Sequence, residues 1–376
     1  MKILQLVQKP QRRGAEIFAS QLNGRLQSMG HEVRTVYLYP HSGGNALPLT
    51  KDDAVLGGCE HHFFEKIPGI HPLLLWRLVR LIAKWKPDVV QVNGGRTLKY
   101  GAAAAWFTRQ PWVLISRSIG QPRHWLRSRL HYECYARFVI PRLNGVVGVS
   151  FATLEELTAL YHLSVPVVRI PRAIDPTTLV PASSRSAIRK TTHTPIDARV
   201  VLYVGSLTRE KRVDRLFRVI NNVRRHVPNV HLWIVGEGAM REALEAQADA
   251  LSLGDRIRFV GGQEDVASYM VAADVLALTS ETEGMPGVIL EAGLLRRTVV
   301  ATSVGGVGEC VLNGKTGVLV EPSDEAAFTE ALSVLLQHPE DLKRLGDTAS
   351  DWIERNFTVA RIAAQYLAFY EVVLSR

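Results

Sequence analysis

The chain has 376 residues, of which 47% are hydrophobic and 22% charged, an ordinary globular composition at a length that exceeds what one hydrophobic core usually supports. No run approaches 18 uninterrupted apolar residues, and the amino terminus lacks the cleavage site of a signal peptide, so neither a transmembrane helix nor a secreted protein is expected. Three cysteines stand far apart without a CxxC pair, which indicates free thiols in a reducing compartment.

The net charge of +9 is distributed unevenly along the chain. Residues 1–190 contain 26 lysines and arginines against 11 acidic residues, whereas the remainder contains 19 against 25. A basic first half suggests an anionic partner, which could be lipid head groups, a polyanionic glycan or nucleic acid; a merely basic surface is the alternative. Nucleic acid is the least expected, because the charge lacks the interleaved aromatic residues of a base-stacking platform.

Short runs rich in Val, Ile and Leu alternate with helical patterns from the start of the chain. An amphipathic helix is expected from residue 15 to residue 29. The strand candidates of the first half are residues 2–8, 32–39, 88–93, 112–116, 145–150 and 165–170. Nearly continuous apolar strands that alternate with helices indicate a parallel sheet covered on both faces.

Residues 176–198 interrupt this alternation. They are rich in Pro, Ser and Thr without a sustained period, which predicts an interdomain linker. Strand candidates then resume at 198–205, 230–236, 256–261, 274–280, 298–303 and 317–322. The sequence therefore predicts an α/β fold of two tandem doubly wound, Rossmann-like domains, one over 1–180 and one over 181–351. Ligands of such sheets bind at the carboxyl ends of the strands.

Two of the loops that follow predicted strands are basic. In the first domain, Gly14 directly precedes a helix, where a glycine lets backbone approach a phosphate; an ordinary tight turn is the alternative. In the second domain, Lys211 lies just before a helix and is flanked by Arg209 and Arg212. An ammonium there can meet a pyrophosphate. A solvated basic helix start is the alternative, although cations at that end oppose the helix dipole.

The stretch ETEGMPGVILEAG, residues 281–293, contains two glutamates eight positions apart. Its Gly/Pro turn places Glu283 in a loop and Glu291 in the second turn of a helix, while Gly284 and Gly287 free the backbone. A carboxylate accepts two hydrogen bonds from a vicinal diol, so the helix glutamate suits a ribose and the loop glutamate a hexose. A capped helix start with solvated glutamates is the alternative.

With these motifs the chain resembles the retaining glycosyltransferases of family 4, which have the GT-B fold. In the second half the resemblance is carried by the Glu283 and Glu291 pair, by VVATSVGGVGE at 299–309 and by TGVLVEPSD at 316–324. The first half is similar more loosely, through RGAE, GHEV, KPDVV and VGVS. Residues from about 352 to 376 resemble the closing helices that cross back onto the first domain.

This resemblance implies that the two domains face a cleft, with the first on the acceptor side and the second binding a nucleotide-diphosphate sugar. It implies catalytic roles for Glu283, near the anomeric carbon of the transferred sugar, and for Lys211, at the leaving diphosphate; Glu291 would bind the ribose. The other donor-binding candidates are Gly14, Ser206, Arg209, Gly284, Met285, Gly287 and Val288. Arg13 and Arg117 are the acceptor-side candidates. No metal and no cofactor beyond the nucleotide sugar as co-substrate is expected.

The sequence departs from the family pattern at three places. Ser206 stands where the family commonly has an arginine, and Arg117 stands where it often has a histidine. PRAID at 171–175 replaces the usual PNGVD at the hinge. These changes concern the donor phosphate contacts and the acceptor side.

The sequence thus predicts a retaining glycosyltransferase that acts on a glycan or lipid-linked acceptor in cell-envelope or polysaccharide biosynthesis. A nucleotide-sugar epimerase of similar fold and a non-catalytic nucleotide-sugar-binding protein are the alternatives. A cytoplasmic protein is expected, peripheral on the inner face of the plasma membrane, because residues 123–142 combine five arginines with apolar side chains in a basic amphipathic helix. A core-facing helix with a solvated basic face is the other interpretation of that segment.

Overall fold

The computed structural model describes residues 1–12, 14–41, 46–57, 69–108, 112–118 and 129–376, with the side chains of 129–131 left out. The chain forms two compact units. Unit 1 consists of Met1–Ala173 together with Val359–Arg376, and unit 2 consists of Ile174–Thr358.

Unit 1 contains a wholly parallel sheet, with seven strands among its described residues. The strands are β1 (Lys2–Val7), β2 (Glu32–Tyr37), β3 (Ala54–Val55), β4 (Val89–Asn93), β5 (Val113–Ser118), β6 (Gly145–Gly148) and β7 (Val167–Arg169). The helices described between them are α1 (Gly14–Ser28), α2 (Pro72–Trp85), α3 (Gly95–Phe107), α4 (Arg129–Cys134) and α5 (Phe151–Leu160). The spatial order is β3-β2-β1-β4-β5-β6-β7, so the direction of winding reverses between β1 and β4.

Both faces of this sheet are buried, which explains why its strands are apolar at nearly every position. On one face, Leu4 and its neighbours pack against helices α2 and α3. On the other face, Ile3 packs against α1 and against the C-terminal helix, Val359–Leu374, which supplies Tyr366 and Tyr370 to the core. Side chains alternate between the two faces along each strand, so each face receives its own hydrophobic cluster.

Unit 2 repeats the design with six parallel strands in the order β10-β9-β8-β11-β12-β13. The strands are β8 (Arg199–Val204), β9 (Val230–Val235), β10 (Ile257–Gly261), β11 (Val275–Leu278), β12 (Thr298–Thr302) and β13 (Gly317–Val320). The helices are α6 (Arg185–Thr191), α7 (Val213–Val223), α8 (Arg241–Ala250), α9 (Val266–Ala272), α10 (Gly287–Leu294), α11 (Val307–Cys310), α12 (Glu325–Gln337) and α13 (Pro339–Asn356). The predicted fold class, two doubly wound Rossmann-like domains, is confirmed.

Winding reverses in unit 2 between β8 and β11, which are direct neighbours with Val201 paired to Val275. The loops that leave the carboxyl ends of these two strands, residues 205–212 and 279–286, therefore start side by side. Such a reversal point is where doubly wound sheets bind their ligands. It brings together the two loops in which the sequence predicted donor-binding residues.

The predicted linker over residues 176–198 is wrong, because this segment folds as part of unit 2. Helix α6 lies within it, capped by the Ser184 hydroxyl, which accepts a hydrogen bond from the amide of Ala187 at 3.2 Å. Its buried Arg189 donates to the carbonyl oxygens of residues 195, 196 and 198 at 2.8 to 3.0 Å. A seven-residue helix is too short to show a helical period in the sequence.

The boundaries between the units also differ from the expected positions. Unit 1 ends at Ala173 rather than at residue 180, and the segment that returns to unit 1 begins at Val359 rather than near residue 352. Helix α13 explains the second difference, because it continues in unit 2 to Asn356.

The basic helix predicted over residues 123–142 is not continuous in its described part, and residues 123–128 lie outside the described residues. Helix α4 ends at Cys134, a π-helical turn covers Tyr135–Val139, and a 3₁₀ turn covers Ile140–Arg142. Pro141 accounts for the change, because proline lacks the amide that an α-helix would need there.

Candidate active site

Lys211 and Glu283 form an ion pair at the reversal point of the sheet in unit 2. Nζ of Lys211 lies 2.7 Å from Oε1 of Glu283, and the Ser280 hydroxyl donates to the same oxygen at 2.7 Å. The two charged side chains are only 22% and 9% exposed. The residues are 72 positions apart in sequence and meet because β8 and β11 are adjacent. The ammonium of Lys211 and a carboxylate that can accept further hydrogen bonds thus lie in contact at the carboxyl edge of the sheet.

The loop that carries Lys211 ends in an unusual backbone conformation. A 3₁₀ turn covers Arg209–Lys211, and Arg212 then adopts φ 48° and ψ 43°, the left-handed region, immediately before α7. A residue with a Cβ is strained there, so neighbouring interactions must hold it. Nε and Nη2 of Arg212 donate to the two oxygens of Asp214 at 2.9 and 3.0 Å, and Nη1 donates to Glu281.

Arg212 thereby ties the Lys211 loop to the Glu283 loop, because Glu281 lies two residues before Glu283. Burial would raise the pKa of Asp214, but the hydrogen bonds and charge of Arg212 and Arg218 outweigh burial and lower it. The Thr279 hydroxyl adds a second tie, donating to the carbonyl oxygen of Arg212 at 2.8 Å. The side chains of Arg212, Glu281 and Thr279 therefore hold the two loops at a fixed spacing. The sequence placed Arg212 beside Lys211 but did not predict these contacts, because a contact between distant loops leaves no local pattern.

A third loop fixes the peptide of Glu283. Gly305 follows β12 with φ 51°, and a Cβ at that position would clash with the carbonyl oxygen of Glu283. The amide of Gly306 donates to the same oxygen at 3.3 Å. Gly305 is thus required by close packing against the Glu283 loop as well as by its positive φ.

The remaining residues of the Glu-containing motif lie along the start of α10. Gly284 and the buried Met285 separate Glu283 from Pro286, the residue before the helix, and Gly287 and Val288 form its first turn. Glu291 occupies the second turn, as the spacing predicted. Within the described residues no side chain caps this helix. The amide of Ile289 donates to the carbonyl oxygen of Pro286 at 3.2 Å, so the amides of Gly287 and Val288 are the ones that can face a ligand.

Ser206 and Arg209 lie elsewhere on the same loop. Ser206 is exposed, and its carbonyl oxygen accepts a hydrogen bond from the Tyr203 hydroxyl at 2.9 Å. Burial raises the pKa of Tyr203, which keeps that hydroxyl protonated. Arg209 is also exposed and lines a cleft of about 510 Å³ with Arg212, Met240 and other residues, a lining that does not include Lys211 or Glu283. In the described part of the chain, the side-chain hydrogen bonds of Lys211 and Glu283 do not involve Arg209.

The candidates in unit 1 are placed differently. Gly14 is the first residue of α1, and a Cβ there would clash with Nη1 of Arg172. Arg117 is buried near the carboxyl end of β5, where its Nε donates to the Tyr366 hydroxyl at 3.0 Å. Arg13 lies outside the described residues. Among the residues that the structure describes, no group of three His, Cys, Asp or Glu side chains could hold a metal ion.

Family models match both halves of the chain. Residues 184–352 match Glycosyl transferases group 1, and residues 12–178 match Glycosyltransferase Family 4. A GDP-mannose-dependent alpha-(1-6)-phosphatidylinositol monomannoside mannosyltransferase of Mycolicibacterium smegmatis is 30% identical over 305 residues, which cover 76% of this chain and 79% of the relative. A glycogen synthase of Mycobacterium tuberculosis is 29% identical over 295 residues, covering 76% of this chain and 69% of the relative.

Solved structures show the same fold. Anabaena Alr3699/HepE in complex with UDP-glucose superposes with a TM-score of 0.80 at 20% identity, over 99% of this chain and all of that one. Sucrose-phosphate synthase from Thermosynechococcus elongatus superposes with a TM-score of 0.82 at 20% identity, over 100% of both chains. The chain belongs to the group 1 glycosyltransferases. It is accordingly a transferase with the GT-B type of fold, as the sequence motifs predicted.

Proposed function

We propose that this protein is a retaining glycosyltransferase that moves a sugar from a nucleotide-diphosphate donor bound by unit 2 to a glycan or lipid-linked acceptor. The observation that carries the proposal is the Lys211–Glu283 pair, 2.7 Å apart where winding reverses in the sheet of unit 2. The solved relative with UDP-glucose and the GDP-mannose-dependent relative support a nucleotide sugar as donor.

Lys211 is proposed to bind the diphosphate. Negative charge builds on the diphosphate as the glycosidic bond breaks, so a fixed ammonium stabilises the transition state more than the ground state. Glu283 already holds the ammonium in place, and the hydrogen bond from Thr279 to the carbonyl oxygen of Arg212 holds the loop that carries it. Little reorganisation is therefore needed when the donor arrives. The stabilisation is therefore available at the moment of bond cleavage.

Glu283 and Glu291 are proposed to bind hydroxyl groups of the donor. Glu283 keeps accepting capacity beyond its bonds to Lys211 and Ser280, because a carboxylate has about four lone-pair sites. It is assigned to the transferred sugar, and Glu291, one helical turn into α10, to the ribose. The amides of Gly287 and Val288 would add donors to sugar oxygens. No step of this scheme requires a metal ion.

Product analysis with a panel of UDP- and GDP-sugars tests the proposal. A glycosyl product whose anomeric configuration matches that of the donor is expected, with activity that survives a chelator and is lost in Lys211→Met. Isomerised donor without any acceptor would select the epimerase alternative. Donor binding in calorimetry without turnover on any of a range of glycan and lipid acceptors would select the non-catalytic alternative.

We also propose that the protein works in the cytoplasm, bound to an anionic membrane surface through unit 1. Trp106 and Phe107, at the end of α3, are 60% and 64% exposed, and Phe138 in the adjoining π-helical turn is 54% exposed. The guanidinium of Arg142 lies 4.1 Å from the centroid of the Trp106 ring. Exposed aromatic side chains beside arginines suit a lipid interface, where rings enter the head-group region and cations meet anionic lipid. No helix among the described residues is long and apolar enough to cross a membrane.

Sedimentation with liposomes of graded anionic-lipid content tests the membrane proposal. Binding should rise with anionic lipid and fall with salt, because each arginine near the surface contributes about 1 kcal/mol that is screened over about 8 Å at physiological ionic strength. Trp106→Ser and Arg142→Glu should weaken binding. Ile196→Ser, which removes an exposed apolar side chain from unit 2, is the matched control and should not. Equal recovery in the supernatant at every lipid composition and at low salt would end the proposal.

A further inference from the structure

Arg117 is a buried cation with an incomplete set of partners. It projects from β5 to the face of the sheet that packs against α1 and the C-terminal helix, and it is 2% exposed. Its Nε donates to the Tyr366 hydroxyl, and its guanidinium carbon lies 3.9 Å from the centroid of the Phe18 ring. Its Nη1 is buried and has no hydrogen-bond acceptor within the described part of the chain.

The groups around Arg117 do not balance its charge. Burial raises the pKa of both Tyr366 and Tyr370, so neither phenol ionises near neutral pH. The polar side chains beside these phenols are neutral amides. Gln5 accepts from Asn93 at 2.9 Å and from Gln91 at 3.1 Å, and Gln91 accepts from the Tyr370 hydroxyl at 2.6 Å. Over the described ranges, no carboxylate oxygen forms an ion pair with Arg117.

Arg189 in unit 2 shows what a buried arginine looks like when its partners are complete. It is as deeply buried as Arg117, pairs with Asp274 at 3.2 Å and donates to three further carbonyl oxygens at 2.8 to 3.0 Å. Buried charges are normally paired in this way, because an unpaired one opposes folding. Arg117 therefore serves something other than the stability of unit 1.

The position of Arg117 in the sheet indicates a role in ligand binding. It is the next-to-last residue of β5, close to the carboxyl edge of the sheet, where doubly wound folds bind ligands. Phe18, which its guanidinium contacts, lies one helical turn after Gly14, the first residue of α1, and Nη1 of Arg172 lies against Gly14. A second guanidinium and the positive end of a 15-residue helix thus lie near this edge.

We propose that unit 1 binds an anionic oxygen group, a carboxylate or a phosphate, of the acceptor substrate, and that the Arg117 guanidinium receives it. Only the assignment of this anionic group to the acceptor rests on the proposed transferase function; the binding of an anion by Arg117 does not. A guanidinium whose Nη1 lacks an acceptor suits both anions, since a charge-assisted hydrogen bond to a carboxylate or a phosphate is about twice as strong as a neutral one. The acceptor class is thereby narrowed to acidic or phosphate-bearing glycans and lipids.

Hydrogen exchange and thermal unfolding of the full chain test this without any turnover. The probes are inorganic phosphate and acetate, each compared with chloride at equal ionic strength. In the wild type, phosphate or acetate should slow exchange of amides in 113–118 and 14–28 and raise Tm, by about 3 to 6 °C at ten times Kd. The larger response tells a phosphate-bearing from a carboxylate-bearing acceptor.

Two variants separate this site from the diphosphate site of unit 2. Arg117→Met should unfold at the same or a higher temperature without anion, because an unbalanced buried charge is removed, and should lose the protection of 113–118. Lys211→Met, which removes a cation from unit 2, should keep that protection. Arg117→Lys keeps the charge without the planar fork and should respond several-fold more weakly than the wild type.

Equal anion responses in wild type and Arg117→Met would overturn the proposal, as would an absence of anion protection over 113–118 in the wild type. The second result is decisive even if Arg117→Met does not fold. Neither result contradicts the transferase function, because that function is measured by product formation. Conversely, a protein without transferase activity that still shows Arg117-dependent protection would support anion binding by Arg117.

Discussion

Replacing Lys211 with methionine removes the ammonium from the ion pair while keeping most of the aliphatic volume of the side chain. Of its two side-chain hydrogen bonds within the described residues, the Glu283 carboxylate, 9% exposed, then keeps the one from Ser280. Breaking a buried pair costs about 3–5 kcal/mol, and an exposed pair about 0–1 kcal/mol. Because Lys211 is 22% exposed, an intermediate loss of about 1–3 kcal/mol in the free energy of unfolding of unit 2 is expected.

The catalytic effect of Lys211→Met should be larger than the effect on stability. A cation that stabilises a developing anion contributes about 2.7–4 kcal/mol to the transition state, so kcat should fall by about 10² to 10³ with a smaller change in KM. Denaturant unfolding measures the loss in the free energy of unfolding, and initial rates at saturating donor measure the fall in kcat. Arg225→Met, which removes an exposed cation from the same unit, is the matched control.

A second substitution distinguishes lost charge from a disturbed loop. In Lys211→Met/Glu283→Gln the unpaired carboxylate is gone, so the free energy of unfolding should recover relative to Lys211→Met. Together with the Glu283→Gln single variant, a double-mutant cycle in unfolding then gives the free energy of the Lys211–Glu283 pair. Only the Lys211→Met single variant is used to judge kcat, because Glu283 is itself assigned to the transferred sugar. A loss confined to KM, or a kcat within a few-fold of the wild type, would refute the role of Lys211 at the leaving diphosphate.

Glu291→Ala should weaken nucleotide binding about ten- to 150-fold in calorimetry, because a hydrogen bond to a charged group contributes about 1.5–3 kcal/mol; unchanged affinity in a folded variant would remove Glu291 from the ribose. Arg212→Ala and Arg212→Gly both lose the contacts to Asp214 and Glu281, but glycine also relieves the left-handed strain. The alanine variant should therefore be less stable than the glycine variant by about 1 kcal/mol in urea unfolding. Equal stabilities would show that the φ of 48° carries no strain. Burial, followed by the charge of nearby arginines, lowers the pKa of His231 below its usual 6.5. The unfolded chain therefore takes up this proton more readily, and stability should be full above pH 6.5 and fall as the pH drops below it. His231→Gln should flatten that part of the pH–stability curve, whereas the same change at the exposed His226 should not; identical curves for wild type and His231→Gln would contradict the assignment.

Local patterns were sufficient for the elements and for the positions of the main motifs. Apolar runs interrupted by glycine turns identified the described strands of both sheets except the two-residue edge strand β3, because a strand buried on both faces is apolar at nearly every position. The Gly/Pro turn at 284–287 located Glu283 in a loop and Glu291 in α10. These features depend only on residues a few positions apart, so the sequence by itself determined the fold class and the loops that carry the site.

Contacts between distant segments were decided by the tertiary structure alone. The Lys211–Glu283 pair exists because β8 lies beside β11, and strand order is not recorded in the composition of either strand. The same holds for the assignment of residues 176–198 to unit 2, whose helix is held by the hydrogen bonds of Arg189. The sequence marked Arg117 as an acceptor-side candidate through the family resemblance, but it gave no sign that the side chain is buried. Its burial without a balancing charge follows from α1 and the C-terminal helix closing over the sheet, a long-range event governed by the packing of apolar surfaces.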